Sequence, residues 1–257
     1  LRSTGQEMVI SKNHALKSIR LPNLNKCLGD LGINTHDALK VLDLESLTSI
    51  GGALNISGNN SLDSLDLSTI DLIGGNSSIA SNASLKTLKL DGLTSLRGGL
   101  GISANNSIRD ISISILESTS GYLDFSLNDS LQTIDLPSLK MTGDDLIVSR
   151  NSELQSIQLA EVTRIKGNLI VNSHQSLEFL DFPGLRQIDG AARITYNDFM
   201  KEMRFPALED IEHGLTLIHN NGLESIDLSK VDSTGMLFFQ SNESLKEIQL
   251  SGLEWIG

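Results

Sequence analysis

The stretch NNSLDSLDLSTIDLIGGNSSIASN, residues 59–82, carries one copy of the repeat that decides the fold. The triplet Leu54-Asn55-Ile56, just before it, has counterparts at steps of 23 residues from position 31 to position 215, without insertion. A second apolar column, to which Leu62 and Leu85 belong, keeps the same step, and a one-residue deletion near Met236 is the single slip. A fixed period of this length indicates stacked supersecondary units rather than an ordinary globular domain.

The local pattern within each copy predicts strands. The L-x-I and L-x-L triplets alternate with period two, so each is expected to be a short strand whose middle residue points outward. The link between them carries glycine pairs such as Gly51-Gly52 and has no helical period. The second glycine column is expected to form a corner with positive φ, and it includes Gly29, Gly121, Gly167 and Gly190.

These patterns predict an all-β, right-handed, single-stranded β-solenoid of about eleven coils, with stacked parallel sheets and no substantial helix. All four prolines share one column directly after the L-x-L triplet, as expected for a strand end. Residues 1–257 are expected to form one continuous solenoid. Because no polar cap is visible, we expect an uncapped segment of a longer protein.

The composition disfavours several classes of function. The net charge of −12 argues against nucleic acid and anionic membranes as partners, because binding there depends on lysine and arginine. No apolar run is long enough to span a membrane. The single cysteine, Cys27, occupies a core column and excludes a disulfide framework. No histidine cluster, nucleophile elbow or phosphate loop is present, so we expect no catalytic residue, metal or cofactor.

The pattern N-x-S-L-x-x-L-x-L-x-x-L-x-x-I-G-G-x-L-x-I-x-x-N of residues 59–82 resembles leucine-rich repeats of the receptor L-domain type. It is also similar to GPI-anchored fungal cell-wall glycoproteins and to bacterial and protist surface proteins with leucine-rich coils. The resemblance covers the whole chain and implies a leucine-rich-repeat solenoid at the cell surface or in the cell wall, but no particular reaction. Receptor L-domains are less regular and often disulfide-capped, which favours a long wall or surface solenoid.

An asparagine column is the most conspicuous polar feature. It is interrupted by His36 and His174, begins at Asn13, and includes Asn59, Asn82, Asn105, Asn128, Asn151, Asn197, Asn220 and Asn242. The favoured interpretation is structural: each side chain satisfies backbone groups at a corner or bonds to the next coil. The alternative is N-glycosylation, since Asn59, Asn82, Asn105, Asn128 and Asn242 begin N-x-S sequons. Asn55 and Asn76 are better candidates for glycosylation, because the first should point outward and the second lies at a corner.

Two outward columns offer further candidates. The middle position of L-x-L holds many carboxylates, for which we favour charge pairing between coils, as in Asp66–Lys89, Arg20–Asp43 and Asp181–Arg204, over a calcium or catalytic site. Apolar residues at outward positions suggest a contact patch made of Ile147, Ile170, Phe179, Phe199 and Phe238.

The sequence therefore predicts an extracellular or cell-surface scaffold, a structural glycoprotein without catalysis. The expected partner is a protein or a cell-wall or matrix glycan, with self-association through the solenoid ends as a further route. The first alternative is a recognition ectodomain that uses one sheet face, and the second is a fibre subunit that stacks end to end. A carbohydrate-active β-helix enzyme is least favoured, because 23 residues per coil leave no long loops for a catalytic groove.

Overall fold

A computed structural model describes the whole chain, residues 1–257, as a stack of eleven coils. The coils contribute short strands to three faces that enclose a common core, and at residues 118–119 the third face is joined by isolated bridges in place of a strand. The predicted all-β solenoid of parallel sheets without helix is confirmed. No helix capable of crossing a membrane occurs in the structure.

The first face is one continuous sheet of eleven strands, in which each strand pairs with the corresponding strand of the next coil. Its strands are Met8–Ser11, Leu31–Asn34, Leu54–Ser57, Ser77–Ala80, Leu100–Ser103, Leu123–Ser126, Leu146–Ser149, Leu169–Asn172, Ala191–Thr195, Gly214–Ile218 and Leu237–Gln240.

The second and third faces are broken into shorter sheets. The second face consists of Ser18–Arg20, Val41–Asp43, Ser64–Asp66, Thr87–Lys89, Asp110–Ser112, Thr133–Asp135, Ser156–Gln158, Phe179–Asp181, Glu202–Arg204, Ser225–Asp227 and Glu247–Gln249. The third face consists of Ser3–Thr4, Lys26–Cys27, Ser49–Ile50, Leu72–Ile73, Ser95–Leu96, Met141–Thr142, Arg164–Ile165, Gln187–Ile188, Asp210–Ile211, Ser233–Thr234 and Trp255–Ile256.

The register follows the sequence repeat. Leu31 pairs with Leu54 in parallel, and the same offset of 23 residues runs through the first face until Leu215 pairs with Leu237. The predicted deletion lies at this last step. Gly214 lies beside the deletion and has a φ of 106°. A Cβ at this position would lie 2.4 Å from the carbonyl oxygen of Met236.

The core is aliphatic and continuous from coil to coil. In the triplet Leu54-Asn55-Ile56 the outer two side chains are buried and Asn55 is exposed, as the alternation predicts. Across the chain, 62 buried apolar side chains form one cluster, so no boundary divides the solenoid into separate cores. Burial of each such leucine or isoleucine contributes about 1.5–3 kcal/mol.

Two expectations about the coil are corrected by the structure. The pattern predicted two strands per coil, whereas a third strand of two residues lies on the third face. The prediction of a positive φ at Gly29, Gly121, Gly167 and Gly190 is wrong, because the glycines with a positive φ are Gly58 and Gly214. These positions require glycine because the coils approach closely: a Cβ at Gly121 would lie 2.5 Å from the backbone nitrogen of Gly99.

Candidate functional site

The asparagine column lies inside the solenoid, at the corner between the first and second faces. The side chain of Asn82 donates from Nδ2 to the carbonyl oxygen of Ile56 (3.0 Å), in the preceding coil. Its Oδ1 accepts from the backbone nitrogen of Asn59 (3.0 Å). The column therefore forms a ladder in which each side chain satisfies one donor and one acceptor of the coil before it.

Most of the ladder is inaccessible to solvent. The fully buried members are Asn59, Asn82, Asn105, Asn128, Asn151, Asn197 and Asn220, whereas Asn242 is half-buried and Asn13 is exposed. A glycosyl group requires a free Nδ2, and in these buried residues that atom is enclosed and donates to a carbonyl. The sequons at positions 59, 82, 105 and 128 are thus closed in the folded chain.

Two histidines take the place of asparagine in the ladder. His36 accepts at Nδ1 from the backbone nitrogen of Asn13 (3.1 Å), and its Nε2 lies 3.0 Å from the carbonyl oxygen of Ile10. The ring thus reproduces both hydrogen bonds of an asparagine amide. His174 lies equally deep, with Nε2 3.1 Å from the carbonyl oxygen of Val148. Burial lowers the pKa of His174, and the backbone contacts oppose that shift less strongly.

The residue before each ladder position adopts a left-handed conformation that the sequence did not reveal. Only Gly58 is a glycine among these residues, and the others are Lys12, Thr35, Ser81, Ala104, Leu127, Arg150, Ser173, Tyr196, His219 and Ser241. Their amides bond to the next coil, as when the backbone nitrogen of Thr35 donates to the carbonyl oxygen of Ser57 (2.8 Å). Such bonds help hold a conformation that costs about 1–2 kcal/mol for a residue with a Cβ.

The two preferred glycosylation candidates are exposed. Asn55 projects from a strand of the first face. Asn76 lies at the corner that leads into that face, where its Oδ1 accepts from the backbone nitrogen of Gly99 (2.7 Å). Neither residue donates a hydrogen bond from Nδ2 to another protein atom, so both amide nitrogens are available for modification.

The five residues of the predicted contact patch do not lie together. Ile147 and Ile170 pair on adjacent strands of the first face. Phe238 lies on the same face but is separated from Ile170 by two coils, which place Arg193 and Thr216 between them. Phe179 and Phe199 lie elsewhere and line a common cleft. The structure thus divides the predicted patch into three parts.

The cleft continues into a group of aromatic rings, which we call the aromatic corner and define as Phe179, Tyr196, Phe199 and His219. Tyr196 and His219 occupy left-handed positions in successive coils, and their rings stack with centroids 5.0 Å apart. Phe199 lines both the cleft with Phe179 and a second cleft with Tyr196. The exposed fractions of Phe179, Tyr196 and Phe199 are 52%, 54% and 60%.

Tyr196 and His219 were missed from the sequence because their column had no recognised role. Its residues vary freely in size and charge, which concealed the shared left-handed conformation. The one available signal was the occurrence of two aromatic rings, Tyr196 and His219, directly before the ladder position in successive coils.

The outward charge column forms fewer pairs than predicted. Lys89 Nζ lies 3.0 Å from Asp66 Oδ2, which confirms that pair. Hydrogen bonds from Ser68, supported by Lys89, lower the pKa of Asp66. The pairs of Arg20 with Asp43 and Asp181 with Arg204 do not form, and Arg204 bonds instead to Glu202 on its own strand. An exposed pair of this kind is worth at most about 1 kcal/mol.

Comparison with known proteins leaves the family of this chain open. No protein-family profile and no curated protein sequence matches it. A leucine-rich repeat protein from Bacteroides ovatus is similar at 16% identity, over 97% of this chain and 78% of that chain. The TM-score of 0.24 is too low to identify a shared fold, so the conclusions that follow rest on this chain's own residues.

Proposed function

We propose that this chain is a scaffold of the cell surface or cell wall, which holds interaction surfaces on a rigid solenoid and catalyses no reaction. The observation that carries the proposal is the buried asparagine ladder. It joins each coil to the next through side chains as well as through strands, and its members from Asn59 to Asn151 are fully buried.

The division between interior and exterior supports this role. The inward columns are nearly uniform, whereas the outward middle position of L-x-L changes from Arg20 to Asp43 to Lys89 without altering the strand. Surface residues can therefore vary without loss of the core, as in solenoids whose extended surfaces bind partners.

The partner that we propose is a protein or a cell-wall or matrix glycan. A net charge of −12 disfavours nucleic acid, whose binding relies on basic residues. The role needs no cofactor, because it rests on shape and surface chemistry alone.

A surface location is supported by the exposed sequons at Asn55 and Asn76. We expect protein isolated from its source to carry glycan at Asn76, Asn55 or both, and none at the buried Asn82 and Asn105. Protease treatment of intact cells should release fragments of the chain. Mass spectrometry of the tryptic peptides provides the readout.

An unmodified chain that is protected inside intact cells would contradict the surface assignment. Glycan on Asn82 or Asn105 in folded protein would contradict the ladder, because those nitrogens are enclosed. The two results are independent, so each part of the proposal can fail separately.

A second candidate is a recognition ectodomain, in which one surface of the solenoid binds a specific ligand. The aromatic corner favours it, since monomeric proteins rarely expose neighbouring large apolar rings without a partner.

A further inference from the structure

The strongest unexplained feature of the molecule is the placement of aromatic residues where the coil uses small polar ones. Serine is the commonest residue in the column of Phe199, and in several coils its hydroxyl caps a backbone carbonyl of the coil before. Ser107 Oγ donates to the carbonyl oxygen of Ala83 (2.7 Å), and Ser176 Oγ donates to that of Ser152 (3.0 Å). Phe199 cannot donate this hydrogen bond, and most of its ring faces solvent. The fold therefore gives no reason for phenylalanine here.

Phe179 breaks its column in the same way. The column of Phe179 holds Thr133 and Ser156 in the two preceding coils, and the outward ring is exposed. Tyr196 places a large ring on a residue with a φ of 58°. Phe179 and Phe199 thus interrupt two mostly polar columns in neighbouring coils, beside the exposed ring of Tyr196, without a gain in the core. Such violations are expected at functional positions.

The groups around these rings define the chemistry of a ligand. The cleft between Phe179 and Phe199 is also lined by the amides of Gln155 and Gln175 and by the hydroxyl of Ser176. An amide both donates and accepts, which suits the hydroxyl groups of a sugar. Aromatic rings carry negative faces, which attract polarised C–H groups such as those of a pyranose ring.

The carboxylates near the cleft already have hydrogen-bond or ion-pair partners within the protein. Glu178, which lines the cleft, forms an ion pair with Lys201 Nζ at 2.7 Å. Asp198, in the adjoining cleft, accepts from Asn221 Nδ2 at 2.7 Å. A cationic ligand would have to compete with these bonds, whereas an uncharged ligand would not.

We propose that the aromatic corner, Phe179, Tyr196, Phe199 and His219, is a binding site for a neutral oligosaccharide. Phe179 and Phe199 belong to successive coils, so the sugar chain lies across the coils and contacts more than one ring. This assignment rests on the proposed function, since it names the glycan as the partner that the scaffold binds.

Titration calorimetry and saturation-transfer NMR with the full chain test the assignment. The probes are hexasaccharides of β-1,3-linked glucose, β-1,4-linked glucose and β-1,4-linked N-acetylglucosamine, together with a lysine-rich peptide. At least one sugar should bind, and its C–H protons should receive saturation from the protein. Phe199→Ser, which installs the residue of its own column, should weaken that binding about tenfold, equivalent to about 1.4 kcal/mol. Phe238→Ser removes an exposed ring on the first face and should leave the affinity unchanged.

Three results would overturn the assignment. One is that no sugar binds; another is that Phe199→Ser and Phe238→Ser weaken sugar binding equally. The third is that the peptide, or a second copy of the chain seen by ultracentrifugation, binds in a Phe199-dependent way instead. Sugar binding by an intracellular, unglycosylated chain would refute the surface location and leave the site intact. A surface glycoprotein that binds none of the sugars would refute the site alone.

Discussion

Replacement of one ladder residue should lower the free energy of unfolding by an amount that follows from the hydrogen bonds it makes. Asn105 Nδ2 donates to the carbonyl oxygen of Ile79 (2.8 Å), and its Oδ1 accepts from the backbone nitrogen of Asn82 (3.0 Å). Asn105→Ala leaves both groups without this partner in the solvent-free interior. Each buried group that loses its hydrogen bond costs about 1–3 kcal/mol, so the expected loss is about 2–6 kcal/mol.

Asn105→His provides the matched control. Histidine fills the same column at positions 36 and 174, and at position 36 its ring keeps both hydrogen bonds of the asparagine amide. We expect this variant to lose at most about 1.5 kcal/mol, the usual cost of a change of shape in a packed interior. The adjacent Asn106 is exposed, and Asn106→Ala should stay within about 0.5 kcal/mol of the wild type.

Urea unfolding followed by circular dichroism measures these differences as changes in midpoint at constant slope. The ladder would be irrelevant to stability if Asn105→Ala matched Asn106→Ala. The hydrogen-bond explanation would be refuted if Asn105→His were as destabilised as Asn105→Ala, because volume rather than bonding would then decide the cost.

Three further predictions concern the protonation of His174, the close contact between coils at Gly74, and the effect of Phe199 on stability. Since the pKa of folded His174 lies below its ordinary value of 6.5, its contribution to stability is complete above that pH and is lost as the pH falls below it. The loss should not exceed about 1.4 kcal/mol per pH unit and should disappear in His174→Asn; identical pH profiles of the two proteins would contradict this assignment. Gly74→Ala places a Cβ 2.0 Å from the carbonyl oxygen of Gly51 and should cost at least about 1–3 kcal/mol, whereas Gly101→Ala, whose nearest contact is 3.9 Å away, should be neutral in the same urea assay. Phe199→Ser should remain within about 0.5 kcal/mol of the wild type, because serine regains the carbonyl cap as the exposed ring is lost; a large destabilisation would show that the ring is structural.

The solenoid could be predicted from the sequence because the 23-residue period of the apolar columns specifies it. Leucine and isoleucine recur at one offset over the whole chain, which fixes the coil length, the parallel pairing and the core together. The third strand escaped prediction because a two-residue strand such as Ser49–Ile50 has one inward side chain and therefore shows no alternation.

The backbone at the corners could not be inferred from residue types. Glycine was expected where φ is positive, yet Thr35 and Tyr196 take that conformation and Gly121 does not. The corner is held by bonds to the next coil, which outweigh local preference. Glycine is used instead where neighbouring coils leave no room for a Cβ.

The candidate site was only partly visible for a related reason. Phe179 and Phe199 stood out as apolar residues in polar columns, whereas Tyr196 and His219 did not. The proximity of these rings depends on how the turn after the ladder projects each side chain toward the neighbouring coil. The repeat pattern of the sequence does not show the direction in which these side chains project.

Residue-resolved amide hydrogen exchange tests the central claim most directly, namely that buried asparagines join the coils into one rigid rod. The backbone amides of Asn59, Asn82 and Asn105 each donate to the side chain of the next ladder residue. We predict that they exchange only with cooperative unfolding, as slowly as the strands of the first face. In Asn105→Ala the amide of Asn82 should exchange faster than that of Asn59. Ladder amides that exchange in the wild type as rapidly as the exposed turn at Asn106 would contradict the account.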